Sequence, residues 1–207
     1  LTVDYLDITV FATALITLFV IIDPPGTIPL FLSLTGRKSV AARAKAAWQA
    51  TLVSLVVISV FAVAGQAILS YLGIGIPALQ GAGGLLLLLV ALDLLTGRES
   101  AQPEAAEEVN VALVPLGTPL LAGPGAIAAT IVFVRQAEGQ LPAYTALALA
   151  IVTVHVVLLL CLRYSGAIIR VIKESGITLV AKIAGLLVAA IAVQLIADAV
   201  RGFIDAA

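Results

Sequence analysis

Two short stretches hold most of the groups able to bind a polar ligand inside an otherwise fatty chain: Asp23-Pro24-Pro25-Gly26-Thr27 and Gly123-Pro124-Gly125-Ala126. Proline lacks an amide hydrogen and clashes with the preceding turn, so each stretch is expected to stop one helix and start another. Asp23 and Gly123 then stand at N-cap positions, with Pro24 and Pro124 opening the new half-helices. A fresh helix N-terminus offers free amides and roughly half a positive charge, which suits a carboxylate. The carbonyls left at Ile22 and Leu121, together with the Asp23 carboxylate, suit an ammonium group. A ligand with both charges is a zwitterion, and the small residues Gly26, Thr27, Gly123, Gly125 and Ala126 leave room only for a compact one of the glycine, alanine or serine class. The candidate binding residues are therefore Asp23, Pro25, Gly26, Thr27, Gly123, Pro124, Gly125 and Ala126. Asp23 either caps a half-helix only, or also faces the ligand, binding its amine or carrying a proton. An ionisable group at membrane depth is costly and usually functional.

The elements holding these stretches are membrane spans. Of 207 residues, 62% are hydrophobic and 11% charged, where a soluble domain has about half and a quarter. A spanning helix needs ~20 apolar residues. Such runs occur at about 6–35 (interrupted), 46–72, 76–96, 111–135 (interrupted), 142–163 and 178–200, which leaves no length for a separate soluble domain. The fold class is thus an all-α polytopic membrane protein with six transmembrane helices, of which spans one and four are discontinuous.

Of the eleven Lys and Arg residues, nine fall on one side of this arrangement, at 37, 38, 43, 45, 98, 163, 170, 173 and 182. Only Arg135 and Arg201 fall on the other, so both termini are expected outside the cytoplasm. Trp48 and Tyr71 bracket span two, and Tyr144 and Tyr164 span five, as interfacial aromatics do. The acids in Leu1–Asp7 stand where a signal peptide carries basic residues, so none is expected. The scattered basic residues make nucleic acid an unsuited partner, and oligomeric state is not legible.

The polar segment 97–110 divides this single membrane domain into repeat one, 1–96, and repeat two, 111–207. Each holds three spans, so a shared fold would place the second upside down relative to the first: a 3+3 inverted repeat. Proline placement supports the relation. Six of nine prolines lie in spans one and four, and Pro25-Gly26 superposes on Pro124-Gly125 at a shift of 99 residues. Span three aligns with span six near a shift of 102.

The remaining chemistry reads as structural. Asp93, Asp198 and Arg201 stand near interfaces. His155 is expected to be hydrogen-bonded between packed helices, and Gln80 and Gln194 to serve backbone groups or bond between spans. Gly81, Gly83, Gly84, Gly185 and Ala189 permit close helix approach. The single Cys161 excludes an internal disulfide or a multi-cysteine metal site. No Gly-x-Ser-x-Gly, His-Glu-x-x-His or Walker motif occurs, and an intramembrane aspartyl protease would need two aspartates at one depth. No enzyme activity and no cofactor is expected, and any transport is driven by a proton, a sodium ion or exchange.

"VIIDPPGTIPLFLSLT", "PLGTPLLAGPGAIAATIV", "GAGGLLLLLVALDLL" and "AGLLVAAIAVQLIADAV" resemble the MarC family of six-span inner-membrane proteins, which includes neutral amino acid transporters of the SnatA type. The resemblance covers nearly the whole chain. It implies a 3+3 inverted-repeat carrier in the cell inner membrane with the substrate at the interrupted helices; the leading reading is a secondary transporter of small neutral amino acids working by alternating access, one repeat rocking against the other. Asp23, Pro25, Gly26, Gly123, Pro124 and Gly125 map onto that site. Where the family usually reads Asp-Pro-x-Gly-Asn, this chain has Thr27, a shorter hydroxyl in place of an amide. The alternatives are a channel or an exporter of some other small molecule.

Overall fold

The computed structural model describes residues 6–35, 38–96, 122–137 and 139–205, and within these the regular structure is wholly helical. The helices are α1 (Ile8–Ile22), α2 (Thr27–Thr35), α3 (Val40–Tyr71), α4 (Ile76–Thr96), α5 (Pro124–Gln136), α6 (Leu141–Arg163) and α7 (Ser165–Asp205). Four are long and apolar enough to cross a membrane: α3, α4, α6 and the Thr178–Asp205 part of α7. The protein is a multi-pass α-helical membrane protein. The first part of span four, at 111–121, and the 97–110 segment lie outside the described residues.

Local contacts orient the helices. The Asp7 amide donates to the Pro142 carbonyl at 3.2 Å, which sets the starts of α1 and α6 side by side. Thr9, Val10 and Thr13 share a small cavity with Phe133, Gln136 and Ala137, so α5 ends at the same face. Gly83 lies against Ala128 and Gly125 against Leu87, so α4 runs antiparallel to α5 and starts at this face, and Pro77 packs beside Gly202, which brings the end of α7 there too. Arg135 and Arg201 belong to this face. The opposite face carries Lys38, Arg43, Lys45, Arg163, Arg170 and Lys173 among the described residues, and Arg43 reaches Gly166 across it. The charge asymmetry read along the chain is therefore an asymmetry between two faces of the folded molecule.

Two helices run past the expected spans. α3 starts at Val40 because the Ser39 hydroxyl caps it, accepting from the Ala42 amide at 3.2 Å. Its 32 residues, ~48 Å at a helical rise, carry its basic first turns beyond the hydrocarbon. The polar joint expected before span six is helical as well, with one break at Lys173, whose φ of 61° and ψ of 164° are non-helical. No proline follows Pro142, so every later residue keeps the amide that a helix needs.

Packing runs largely between the halves of the chain. α1 packs on α5, α6 and α7, α3 on α5 and α6, and α4 on α5 and α7. One buried cluster joins α1, α2, α3, α5 and α6, and a smaller one joins Val20 and Ile21 of α1 to α4 and α7. The α4–α7 contact is reciprocal. A Cβ on Gly84 would meet the Ala192 carbonyl and the Ile196 side chain, each at 2.8 Å, while one on Gly185 would meet Leu94, Leu95 and the Ala91 carbonyl at 2.9 to 3.3 Å. Residues 84, 91 and 95 exchange with 185, 192 and 196 at a single shift of 101. That spacing lies beside the shift near 102 read from the sequence.

Candidate functional site

The α1 break is built by Asp23. Two prolines follow it, so Val20 and Ile21 have no amide four residues on to accept from. Asp23 adopts the left-handed conformation, with φ 46° and ψ 66°, and closes α1 by donating its amide to the Phe19 carbonyl at 2.9 Å. It also starts the next turn: its carbonyl accepts from the Thr27 amide at 3.0 Å and its Oδ1 from the Gly26 amide at 3.1 Å. The Gly26 amide that would serve Ile22 is turned to the carboxylate instead. One residue therefore ends one half-helix and caps the other.

Only half of the Asp23 carboxylate is used in this way. The residue is 7% exposed, and its Oδ2 is buried with no hydrogen-bond partner among the described residues. Gly26 makes room for it, since a Cβ there would collide with the carboxylate. Thr27 is buried, and its hydroxyl donates to the Pro24 carbonyl at 2.9 Å.

The start of α5 lies at the same depth. α1 runs 15 residues inward from the face where α5 ends, and α5 has 13 residues, so Ile22 and Gly123 each lie ~20 Å from that face. Ile22, Ala122 and Ala126 belong to one buried cluster. Gly123 takes an extended N-cap conformation, with φ −60° and ψ 160°, and offers no side-chain cap. In the first turn behind Pro124, Gly125 and Ala126 have no intrahelical acceptor for their amides. Gly125 seats this turn against α4, where a Cβ would collide with Leu87.

These geometries correct the sequence reading at three points. Regular α2 begins at Thr27 rather than Pro24, because Asp23, Pro24 and Pro25 form a turn before the helix settles. The N-terminus of α2 does not present a free amide tip: the Gly26, Thr27 and Ile28 amides donate to Asp23 Oδ1, the Asp23 carbonyl and the Pro25 carbonyl. Among the described residues, the first-turn amides without a side-chain cap belong to α5, and the spare acceptor belongs to Asp23. The Thr27 hydroxyl hydrogen is occupied by the backbone.

His155 is 2% exposed, donates from Nδ1 to the Ile151 carbonyl at 2.7 Å, and places Nε2 3.1 Å from the Ser54 hydroxyl. It ties two helices, as expected of it. Gln194 bonds Asp198 one turn along its own helix at 2.9 Å rather than bridging spans. Sequence reasoning missed a groove of about 470 Å³ between α3, α5 and α6. Its polar edges are Ser59, Gln66 and Tyr144, and its apolar walls include Leu55, Val134 and Ile151. The spacing of Ser59 and Gln66, seven apart on one side of an apolar helix, was the available signal.

Comparison with known proteins places this architecture. The profile of a family described as MarC family integral membrane protein matches residues 8–204. The chain belongs to the MarC family. An Archaeoglobus fulgidus protein named UPF0056 membrane protein is 39% identical over 194 residues, covering 91% of each chain. The UPF0056 inner membrane protein MarC of Salmonella paratyphi B is 33% identical, covering 90% of this chain and 91% of its own. UPF0056 membrane protein YhcE of Escherichia coli is 30% identical, covering 96% and 95%. No solved structure matches the chain. Among the described residues of this MarC protein, no group of three or more His, Cys, Asp or Glu side chains could hold a metal ion. Membership in a family of integral membrane proteins accords with a non-enzymatic role.

Proposed function

We propose that the protein is a secondary transporter of small neutral amino acids, of the glycine, alanine and serine class, working by alternating access. The observation that carries this reading is the pairing, at one depth, of a buried carboxylate oxygen and a helix N-terminus that, among the described residues, have neither a hydrogen-bond partner nor a side-chain cap. Desolvating the Asp23 carboxylate is costly unless something returns the lost interaction. A substrate ammonium group would do so, while the substrate carboxylate accepts from the Gly125 and Ala126 amides. Pro25, Gly26, Thr27, Gly123 and Pro124 shape the two turns around it. The two ends differ in charge, which favours a zwitterion over a simple anion or cation.

The six-span 3+3 inverted repeat, with 1–96 and 111–207 as its halves, 97–110 as the cytoplasmic link and spans one and four discontinuous, belongs to the same proposal. The reciprocal α4–α7 contacts support it. The charge difference between the two faces supports a bilayer orientation with both termini outside the cytoplasm. The name of the Salmonella relative supports placement in the inner membrane. A proton or a sodium ion is the coupling ion. Because packing runs mostly between halves, the motion is a shear of interlocked helices rather than one repeat rocking as a block.

Purified protein in proteoliposomes tests the reading. Labelled glycine should enter faster when unlabelled glycine is loaded inside, as a carrier requires and a channel does not show. Thermal unfolding measured against each of the twenty amino acids should rise for the small neutral ones, since a ligand of the folded state stabilises it by mass action. A flat response, or uptake without counterflow, would favour the channel or the exporter of another substrate.

A further inference from the structure

The Ser54–His155 hydrogen bond joins residues 101 apart. That is the shift relating the reciprocal contacts of α4 and α7, so on the inverted-repeat reading Ser54 and His155 are equivalent positions in the two halves. A contact between equivalent positions lies on the axis that exchanges the halves. α3 and α6 run antiparallel through this point: Ser54 meets His155, while Gln66 and Tyr144 line the far end of the groove between them.

The two sides of the crossing differ. Towards the face where α6 begins, α3 and α6 diverge around the groove, whose apex is at Leu55 and Ile151 beside the hydrogen bond. Towards the other face, Ala46, Ala47 and Ala50 of α3 share one buried cluster with Leu158 and Leu162 of α6. Two pairs at the 101-residue shift differ in exposure, while 46 with 147 and 50 with 151 are buried alike. Ala148 is exposed in the groove while Ala47 is fully buried, and Val152 is 49% exposed while Thr51 is 5% exposed.

We propose that Ser54 and His155 form the pivot on which α3 and α6 shear, and that the groove is the open access path of one state. This rests on the alternating-access reading above. Exchanging the halves closes the groove around Ala148 and opens the seam at Ala47. The bond at the pivot maps onto itself and survives both states, whereas contacts away from it are made in one and broken in the other. Ser54 and His155 are thus positioning residues that need no contact with substrate. The polar edge at Ser59 and Gln66, whose Nε2 is buried without a partner among the described residues, suits a hydrated path rather than a lipid-filled one.

The full chain in proteoliposomes, in a Cys161→Ala background, tests this with two cysteine pairs: Ser54→Cys with His155→Cys at the pivot, and Ala62→Cys with Ala148→Cys across the groove. Bis-methanethiosulfonate linkers of graded length are the probe. The pivot pair should be captured at one short span, and its linkage should leave labelled glycine uptake within about twofold of the unlinked sample. The groove pair should be captured at both a long and a short span, and its short linkage should reduce uptake to the level of empty liposomes until a reductant is added. Pivot linkage that abolishes uptake reversibly, or a groove pair captured at one span only, overturns the pivot. The groove pair leaves Ser54 and His155 intact, so it decides the matter even when the pivot variant does not fold. Capture at both spans without any glycine uptake leaves the pivot standing and removes the substrate assignment.

Discussion

Asp23 concentrates three tasks in one side chain, and they separate by substitution. Its amide ends α1, and its Oδ1 and carbonyl cap the turn to Gly26 and Thr27, roles asparagine can fill; its Oδ2, in the proposed function, supplies charge to a buried site, which asparagine cannot. Asp23→Asn is therefore expected to unfold within about 1 kcal/mol of the parent yet to bring glycine uptake to background in proteoliposomes. Wild-type uptake by this variant would leave the residue as a cap alone. Gly26→Ala places a methyl group against the same carboxylate. It should cost about 1–3 kcal/mol of stability and abolish the glycine-dependent rise in unfolding temperature. The residues of both breaks are legible in the sequence because proline acts through its own missing amide. That Asp23 consumes the amides of its own half-helix was not, since it depends on one φ angle and one rotamer.

Among the elements, α4 and α7 show how glycine sets a helix contact. At Gly84 and Gly185 the neighbouring atoms include backbone carbonyls, which cannot move aside, whereas a Cβ at Gly81 would meet only the Ala199 methyl at 3.5 Å. Gly84→Ala and Gly185→Ala are expected to lower thermal stability by similar amounts, about 1–3 kcal/mol each, because their contacts are reciprocal. Gly81→Ala should stay within about 0.5 kcal/mol. Unequal losses at 84 and 185, measured by thermal unfolding in detergent, would remove the internal symmetry. The small residues marked this interface in the sequence, but the partner helix and its register did not follow from them. Lipid-facing and buried positions are equally apolar, so no pattern distinguishes them.

At the scale of the whole molecule, the two faces differ in charge, and the proposed orientation in the bilayer rests on that difference. Tyr71, 92% exposed at the end of α3, and Val171, 80% exposed near the start of α7, lie at opposite faces. In a Cys161→Ala background, Tyr71→Cys should react with a membrane-impermeant maleimide on intact cells, and Val171→Cys only after permeabilisation. The reverse pattern would invert the topology and, with it, the side on which the groove opens.

Run length, charge and proline are local properties, and they determined by themselves the membrane class, the long apolar helices, the bias between sides and the place where α1 ends before α2. Which tip remains uncapped, the common depth of the breaks, the 101-residue register and the groove between α3 and α6 were decided only by tertiary packing. The physical reason is that hydrocarbon rewards every apolar surface alike. Specific partners among such helices are chosen by close fit between residues a hundred positions apart, and that fit exists only once the chain has folded.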